Sequence, residues 1–257
     1  QEVISHIFAS VRYHLSKDAS RILTVTSSAS GEGKTSFCIL LSKVLAQMRI
    51  KILLIDANTR DPQLHNYLKL DNSHGLADLI EDDELDWQKI TQKVDDNDYL
   101  QVITSGTALS KPDKFLRINQ ITKLIDCVVE TNYFEYILID TPSAIDSTDS
   151  SLIAQNRGNL IFMVSLNRIN RFIQNQAIVR VSNTCGNVLG IVTNNSKPTI
   201  SNSTNIAAYS DLDPIDQNGS QQFTGNPDEV YMSSNPINKI RFHLASAVRQ
   251  FLIFLDN

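Results

Sequence analysis

The chain has 257 residues, of which 42% are hydrophobic and 20% charged, and its formal net charge is -5. This length and composition indicate an ordinary soluble globular protein with material for one large α/β domain or two small ones. The acidic balance gives no support to a nucleic-acid-binding surface, and we expect no nucleic acid among the partners. Three cysteines, odd in number and widely spaced, argue against a disulfide framework and favour a reducing cytoplasm.

Short β-rich runs alternate with amphipathic helical runs along the chain, as in a parallel sheet covered by helices. The predicted strands are 21–27, 51–56, 100–104, 136–141, 159–165 and 187–193. Several are apolar throughout, which is typical of strands buried on both faces. Helical spacing of apolar residues predicts helices in SFCILLSKVLAQM, DKFLRINQITKLIDCVVE and NRFIQNQAIVRVSN, and a last one over 237–255.

These elements predict an α/β fold of three layers, with a mostly parallel central sheet and helices on both faces. We expect residues 1–257 to form a single domain. One region breaks the alternation, because 195–236 is rich in Ser, Asn, Asp, Gly and Pro and has few large apolar residues. This composition predicts a long flexible loop within the domain.

The stretch TSSASGEGKTS, residues 26–36, follows the first predicted strand and leads directly into a predicted helix. That context is the one a phosphate-binding loop of the pattern G-x-x-x-x-G-K-[ST] requires, although Ser28 stands where the pattern has its first glycine. A small residue serves at the strand end, so Ser28 is a mild departure. The predicted nucleotide-binding residues of the loop are Ser30, Gly31, Glu32, Gly33, Lys34, Thr35 and Ser36.

Each part of the loop has a predicted role in holding phosphate. Gly31 and Gly33 let the backbone turn so that its N–H groups point at phosphate oxygens, and the start of the helix adds its positive end. Lys34 is expected to reach the β- and γ-phosphates, and the Thr35 hydroxyl to hold Mg²⁺. Ser36 would add a donor near the α-phosphate.

Two predicted strands end in an aspartate, Asp56 in ILLID and Asp140 in YILID. Parallel sheets present the carboxyl ends of their strands to the ligand, so both side chains are expected beside the phosphate loop. A carboxylate there can hold Mg²⁺ or accept a proton from an attacking hydroxyl. Each aspartate could instead cap the turn that follows its strand.

Five segments together resemble a known family. In order along the chain they are SSASGEGKTS, KILLIDANTRDPQLH, SGTALSKPDKFL, YILIDTPSAIDSTD and NVLGIVTNN. They look like the cytoplasmic catalytic domain of the bacterial tyrosine kinases (BY-kinases) of capsular and exopolysaccharide export, from about residue 6 to 195. The resemblance implies a P-loop NTPase fold in which Lys34, Asp56 and Asp140 belong to the Walker A, A′ and B motifs. It implies Mg²⁺ held by Thr35, Asp56 and Asp140, and Asn194 reading the adenine edge.

The same resemblance implies a function. The expected activity is Mg-ATP-dependent tyrosine autophosphorylation, with ADP as product, that regulates polysaccharide polymerisation and export. Asp56 would activate the tyrosine hydroxyl and Asp140 would orient metal-bound water. The implied partners are a membrane-embedded polysaccharide co-polymerase or adaptor and further copies of the chain in a ring, at the inner face of the cell membrane. Because the sequence begins at Gln1, that membrane part could also lie upstream in the same chain.

Three departures from the family pattern bear on activity. Asn58 stands where a second aspartate usually follows the Walker A′ aspartate, which predicts weaker metal retention or slower turnover. The positions of the N-terminal oligomerisation motif, a glutamate and two arginines, hold His6, Ala9 and Arg12. With only the last arginine of the motif present, the chain could assemble through another interface or remain a monomer.

The third departure is the missing C-terminal tyrosine cluster. Tyr209 and Tyr231 are the tyrosines within the predicted flexible loop, and they are either acceptors or ordinary loop residues. One alternative function is therefore an ATP-binding regulatory module of the same system with weakened catalysis. A second alternative is a positioning ATPase of the ParA/MinD kind, although that group carries an early loop lysine where this chain has Ala29.

Overall fold

A computed structural model describes residues 2–15, 21–82, 86–95, 97–107, 114–157, 159–166, 170–184 and 188–194. The predicted loop 195–236, with Tyr209 and Tyr231, and the predicted helix 237–255 lie outside these ranges. The single-domain organisation of the whole chain therefore stays a prediction.

The strands and helices alternate along most of the described chain. The strands are β1 (Ile22–Ser27), β2 (Ile52–Asp56), β3 (Thr91–Val94), β4 (Asn97–Ile103), β5 (Tyr136–Asp140), β6 (Asn159–Ser165) and β7 (Val188–Asn194). The α-helices are α1 (Glu2–His14), α2 (Lys34–Gln47), α3 (Leu64–Leu68), α4 (Leu76–Glu81), α5 (Lys114–Glu130), α6 (Asp149–Arg157) and α7 (Arg171–Thr184). A 3₁₀ helix, Trp87–Ile90, precedes β3.

The seven strands form one sheet in the order β3-β4-β2-β5-β1-β6-β7. All neighbouring pairs are parallel except β3 and β4, which are antiparallel. The predicted fold is thus confirmed: it is a mostly parallel sheet with helices on both faces. Because β1 lies between β5 and β6, the chain changes direction across the sheet at β1, and such switch points form ligand-binding crevices at the carboxyl ends of strands.

Two large apolar clusters cover the opposite faces of the sheet. One joins α1 and α2 to side chains of the central strands, including Leu23, Val25, Leu54 and Leu138. The other joins α5 to alternate residues of the same strands, including Ile22, Leu53, Ile55 and Ile139. Successive side chains of a strand point to opposite faces, so a strand covered on both sides is apolar on both faces, although β1 also buries Thr24 and Thr26. This packing explains the continuous apolar runs in the sequence.

Helix α1 packs on the sheet through Ile4, Ile7, Phe8 and Val11, which are all buried. His6, Ala9 and Arg12 are exposed on the remaining surface of this helix. The positions that correspond to the family's oligomerisation motif therefore face outward. Within the ranges given above, no helix has both the length and the apolar character needed to cross a bilayer.

Candidate nucleotide-binding site

The predicted site residues lie at the carboxyl edge of the sheet, where β1, β2 and β5 end side by side. Asp56 and Asp140 are the last residues of β2 and β5 and face each other in the parallel register. The Ala57 N–H donates to the Asp140 carbonyl oxygen at 2.8 Å, which fixes the backbone just beyond this pair. The loop after β1 and the two aspartates are thus brought together, as the order of strands requires.

The loop from Ser28 to Gly33 turns the chain from β1 into α2. Gly33 has φ of 95°, a left-handed conformation that side chains rarely adopt, and α2 begins at the next residue, Lys34. A Cβ at Gly33 would also collide with the Asn194 side-chain nitrogen. Both observations explain why this position of the motif is glycine.

The individual loop residues differ in exposure. Ser30 and Gly31 are exposed at the tip, whereas Thr35 and Ser36 are partly buried in the first turn of α2. Lys34 is only 6% exposed, and its positive charge lies close enough to lower the pKa of Asp140. Lys34 therefore supplies positive charge inside the crevice rather than at its rim.

The side chain of Glu32 points into the protein and is fully buried. Its Oε2 atom accepts from the Ser28 hydroxyl at 2.5 Å and from the Ala29 N–H at 2.8 Å, and its Oε1 atom accepts from the Ser165 N–H at 2.9 Å. With its carboxylate engaged in this way, Glu32 is left with its backbone N–H as the group to offer a phosphate. Sequence reasoning placed Glu32 in the loop but missed these internal contacts.

Thr35 and Asp140 are in direct contact. The Thr35 hydroxyl donates to Asp140 Oδ2 at 2.6 Å. Asp140 is 1% exposed, and burial raises its pKa to about 6 despite the opposing effects of the Thr35 hydrogen bond and the Lys34 charge. Its other oxygen, Oδ1, is buried and has no hydrogen-bond partner among the described residues. This oxygen therefore has unused capacity to accept a hydrogen bond or to coordinate a cation.

Asp56 is fully buried and its carboxylate organises the turn after β2. It accepts from the Asn58 N–H at 3.1 Å and from the Leu64 N–H at 3.3 Å. Burial and the neighbouring charge of Asp140 raise the pKa of Asp56 well above its usual value, against the lowering effect of the backbone donors. Asp56 therefore combines the turn-capping role, which the sequence left open, with a position beside Asp140.

Asn58 and Arg60 follow Asp56 in the same turn. The Asn58 side-chain amide donates to the Asp61 carbonyl oxygen at 2.8 Å, so it holds the turn. Arg60 is exposed and donates to the Asp146 carbonyl oxygen at 2.8 Å, which links this turn to the segment after β5.

The segment after β5 is attached to the entry of the phosphate loop. The Ala144 N–H donates to the Ser27 carbonyl oxygen at 2.8 Å, and the Ile145 N–H donates to the Ser28 carbonyl oxygen at 3.2 Å. Sequence reasoning missed this attachment, because contacts between backbone groups leave no residue-type signal.

Asn194 is the last residue of β7 and lies against the loop rather than apart from it. Its side-chain N–H₂ donates to the Glu32 carbonyl oxygen at 2.9 Å. The family resemblance predicts that the Asn194 side chain contacts the edge of the adenine ring. The structure brings Asn194 to the site edge, and its role toward adenine stays a prediction.

A Mg²⁺ ion fits the donor set near Thr35. The Thr35 hydroxyl and the unpartnered Asp140 oxygen are hard oxygen ligands of the kind Mg²⁺ prefers, and Mg²⁺ is commonly held by one or two carboxylates together with substrate phosphates. Among the described residues there is no cluster of three or more His, Cys, Asp and Glu side chains that could hold a metal on their own.

Comparison with known proteins agrees with this picture. A family model described as an AAA domain matches residues 20–170. The tyrosine-protein kinase ptk of Acinetobacter johnsonii is 29% identical over 163 residues, covering 62% of this chain and 21% of that protein. The tyrosine-protein kinase CpsD of Streptococcus agalactiae serotype III is 29% identical over 185 residues, covering 68% of this chain and 74% of that protein. The chain spans about a fifth of the length of relatives such as ptk.

Solved structures have the same fold. The kinase domain of the Escherichia coli tyrosine kinase ETK aligns with a TM-score of 0.68 at 20% identity, covering 78% of each chain. The MinC:MinD cell division complex of Aquifex aeolicus gives a TM-score of 0.57 at 21% identity, covering 68% of this chain and 69% of that one. At these identities the likeness concerns the fold alone. The resemblance to bacterial tyrosine kinases that the motifs predicted is confirmed by the relatives.

Proposed function

The chain belongs to the AAA domain family, and from this premise we propose that it is a Mg-ATP-dependent protein-tyrosine kinase that acts on chains of its own kind. The observation that carries the proposal is the contact between Thr35 and Asp140, with the unpartnered Asp140 oxygen beside it and Lys34 buried nearby. These are the groups that hold the phosphates and the metal in phosphoryl transfer.

The residues of the site divide into those that hold the nucleotide and those that act on the acceptor. Backbone N–H groups of the loop and the Lys34 ammonium bind the phosphates, and Asn194 contacts the adenine edge. Thr35, Asp140 and Asp56 would hold Mg²⁺, which when bound supplies charge neutralisation at the β- and γ-phosphates.

Asp56 is the proposed base of the transfer. The tyrosine oxygen forms a bond to the γ-phosphorus while the bond from that phosphorus to the bridging oxygen breaks, and ADP leaves with the electron pair. The hydroxyl proton passes to Asp56. Asp56 ends β2 directly beside Asp140, so its carboxylate lies at the same sheet edge as the groups that hold the phosphates.

The proposed setting is a polysaccharide polymerisation and export system at the inner face of the cell membrane. A membrane-embedded co-polymerase or adaptor, in the same chain or in another, would bring several copies together. The names of the relatives support the kinase activity, and the resemblance of the motifs supports the system.

A second function is favoured by Asn58. Its side chain is a neutral amide that donates to the Asp61 carbonyl oxygen, so this position provides no second carboxylate for Mg²⁺. A chain of this kind could bind Mg-ATP and regulate its partner without efficient transfer. A positioning ATPase of the ParA/MinD kind receives less support, because Ala29 replaces the lysine that acts across the dimer in that group.

One experiment separates these functions. The protein is incubated with Mg-ATP and probed for phosphotyrosine, together with Lys34→Met and Asp56→Asn. Lys93→Met and Asp98→Asn are matched controls, because this lysine and aspartate form an exposed ion pair on the antiparallel β3–β4 edge.

Loss of the signal in both site variants, with the signal kept in both controls, supports the kinase. Nucleotide binding without phosphotyrosine supports the regulatory module. Stimulation of ATP hydrolysis by DNA or by a membrane-bound activator supports a positioning ATPase.

A further inference from the structure

Glu32 is an acid buried inside a loop that is expected to bind anionic phosphates. A carboxylate at such a place adds negative charge close to the ligand, which costs binding energy unless donors neutralise it. Its neutralising contacts in the described chain are the Ser28 hydroxyl and the N–H groups of Ala29 and Ser165. These donors belong to the start of the loop and to the end of β6, so one side chain joins two separate parts of the sheet edge.

The backbone of Glu32 is attached to a third part of the edge. Its carbonyl oxygen accepts from the Asn194 side chain, and Asn194 ends β7. Ser165 and Asn194 are register partners at the ends of β6 and β7, and the Leu166 N–H donates to the Asn194 carbonyl oxygen at 3.0 Å. Glu32 is therefore held by both members of one strand pair, through its carboxylate and through its carbonyl.

We propose that Glu32 is a positioning residue that holds the phosphate loop in its binding shape before the nucleotide arrives, with Ser28 as its partner. The proposal rests on the proposed function, since it concerns the same nucleotide site. A loop fixed in advance loses less conformational freedom on binding, and its N–H groups already point at the phosphate positions. Ser28, the departure from the usual glycine, then adds a donor that a glycine cannot supply.

The substitution that tests this most directly is Glu32→Gln. A glutamine keeps the size of the side chain, but it has a single acceptor oxygen. Its N–H₂ group only donates, so the side chain cannot accept from both the Ala29 N–H and the Ser165 N–H. At least one buried N–H then loses its partner, and the loop is free to relax. Ser28→Ala is the milder variant, because it removes a single hydroxyl and leaves the backbone contacts in place.

The matched control is Ser42→Ala. Ser42 lies in α2 and is fully buried, and its hydroxyl donates to the Ile39 carbonyl oxygen at 2.8 Å. This control removes a buried hydrogen-bonded hydroxyl from the helix that follows the loop, without touching the loop itself. It therefore measures what lost stability alone does to nucleotide binding.

The experiment measures the Kd for ADP with Mg²⁺ by titration well below the unfolding temperature, and the unfolding midpoint without nucleotide. We expect Glu32→Gln to weaken ADP binding about tenfold or more and Ser28→Ala about threefold, whereas Ser42→Ala lowers the midpoint and leaves the Kd unchanged. In the Glu32→Gln background, Ser28→Ala should change the Kd less than about twofold, because the loop has already relaxed from its binding shape.

The outcomes distinguish the two proposals. Wild-type protein that binds no ADP overturns the proposed function itself. Wild-type protein that binds ADP, with unchanged Kd in both loop variants, overturns the positioning role and leaves the proposed function standing. If Glu32→Gln does not fold, Ser28→Ala decides: a Kd equal to that of the wild type refutes the role, and a weaker one supports it.

Discussion

Removing the charge of Asp140 is expected to make the nucleotide-free protein more stable. Asp140 is buried at the end of β5, and one of its oxygens has no hydrogen-bond partner among the described residues. Asp140→Asn keeps the shape of the side chain and an oxygen that can accept from Thr35. It removes a negative charge that lies beside Asp56, whose own pKa is raised by burial and by that charge.

The size of the effect follows from the pKa of Asp140. Burial raises this pKa from 3.8 to about 6, a difference that corresponds to about 3 kcal/mol. A raised pKa means that the folded state binds the proton more tightly than the unfolded state, so the penalty is absent below about pH 4 and complete above about pH 6. The N–H₂ group of the new asparagine is buried and needs an acceptor, which lowers the expected stabilisation. We expect a net stabilisation of about 1–3 kcal/mol at pH 7, or roughly 3–10 °C in the unfolding midpoint.

The assay is urea unfolding at pH 7 and at pH 4, with EDTA present to remove divalent metals. Asp98→Asn is the control, because the pKa of Asp98 is lowered by its hydrogen bond to Lys93 and this variant should give no gain. The reasoning is wrong if Asp140→Asn is no more stable than the wild type at pH 7. It is also wrong if the gain is the same at both pH values.

Three further substitutions test other parts of the structure. Gly33→Ala should weaken ADP binding at least about tenfold in a titration, because Gly33 has a positive φ and a Cβ there would collide with Asn194. Adding Asn194→Ala should restore only part of the lost affinity, since the strained φ remains. Gly75→Ala should lower the free energy of unfolding by more than about 2 kcal/mol in urea, because its Cβ would meet the backbone of 104–106; an unchanged midpoint would contradict this close approach. Leu54→Ala should lower the free energy of unfolding by about 2–5 kcal/mol in the same assay, since this side chain is fully buried in a central strand. A smaller loss would mean that neighbouring side chains move to fill the space.

The central strands of the sheet could be predicted because strands buried on both faces have continuous apolar sequences. The predicted strand 51–56 corresponds to Ile52–Asp56 and the predicted strand 159–165 to Asn159–Ser165. In contrast, β3 has the sequence TQKV, and Val94 is its one buried residue. It was missed because an edge strand exposed on one side has no apolar run to reveal it.

The candidate site was predicted in part for a related reason. Lys34, Asp56 and Asp140 are marked by residue type at strand ends, and the structure brings their positions together. The contacts of Glu32 with Ser165 and Asn194 could not be predicted, because they join residues 133 and 162 positions apart. Such pairs depend on the order of strands, which local patterns do not specify.

The place of β1 in the sheet also sets the order in which the site can form during synthesis. The phosphate loop leaves the ribosome before both neighbours of β1, which are encoded much later in the chain, at Tyr136–Asp140 and Asn159–Ser165. Pairing between strands far apart in sequence is slow, because closing the long intervening segment costs conformational entropy before any strand contact forms. The growing chain therefore carries GEGKT for more than a hundred residues before the strands that complete its surroundings exist. The contact between Glu32 in this loop and Ser165 can therefore form only after β6 has been synthesised and has paired with β1.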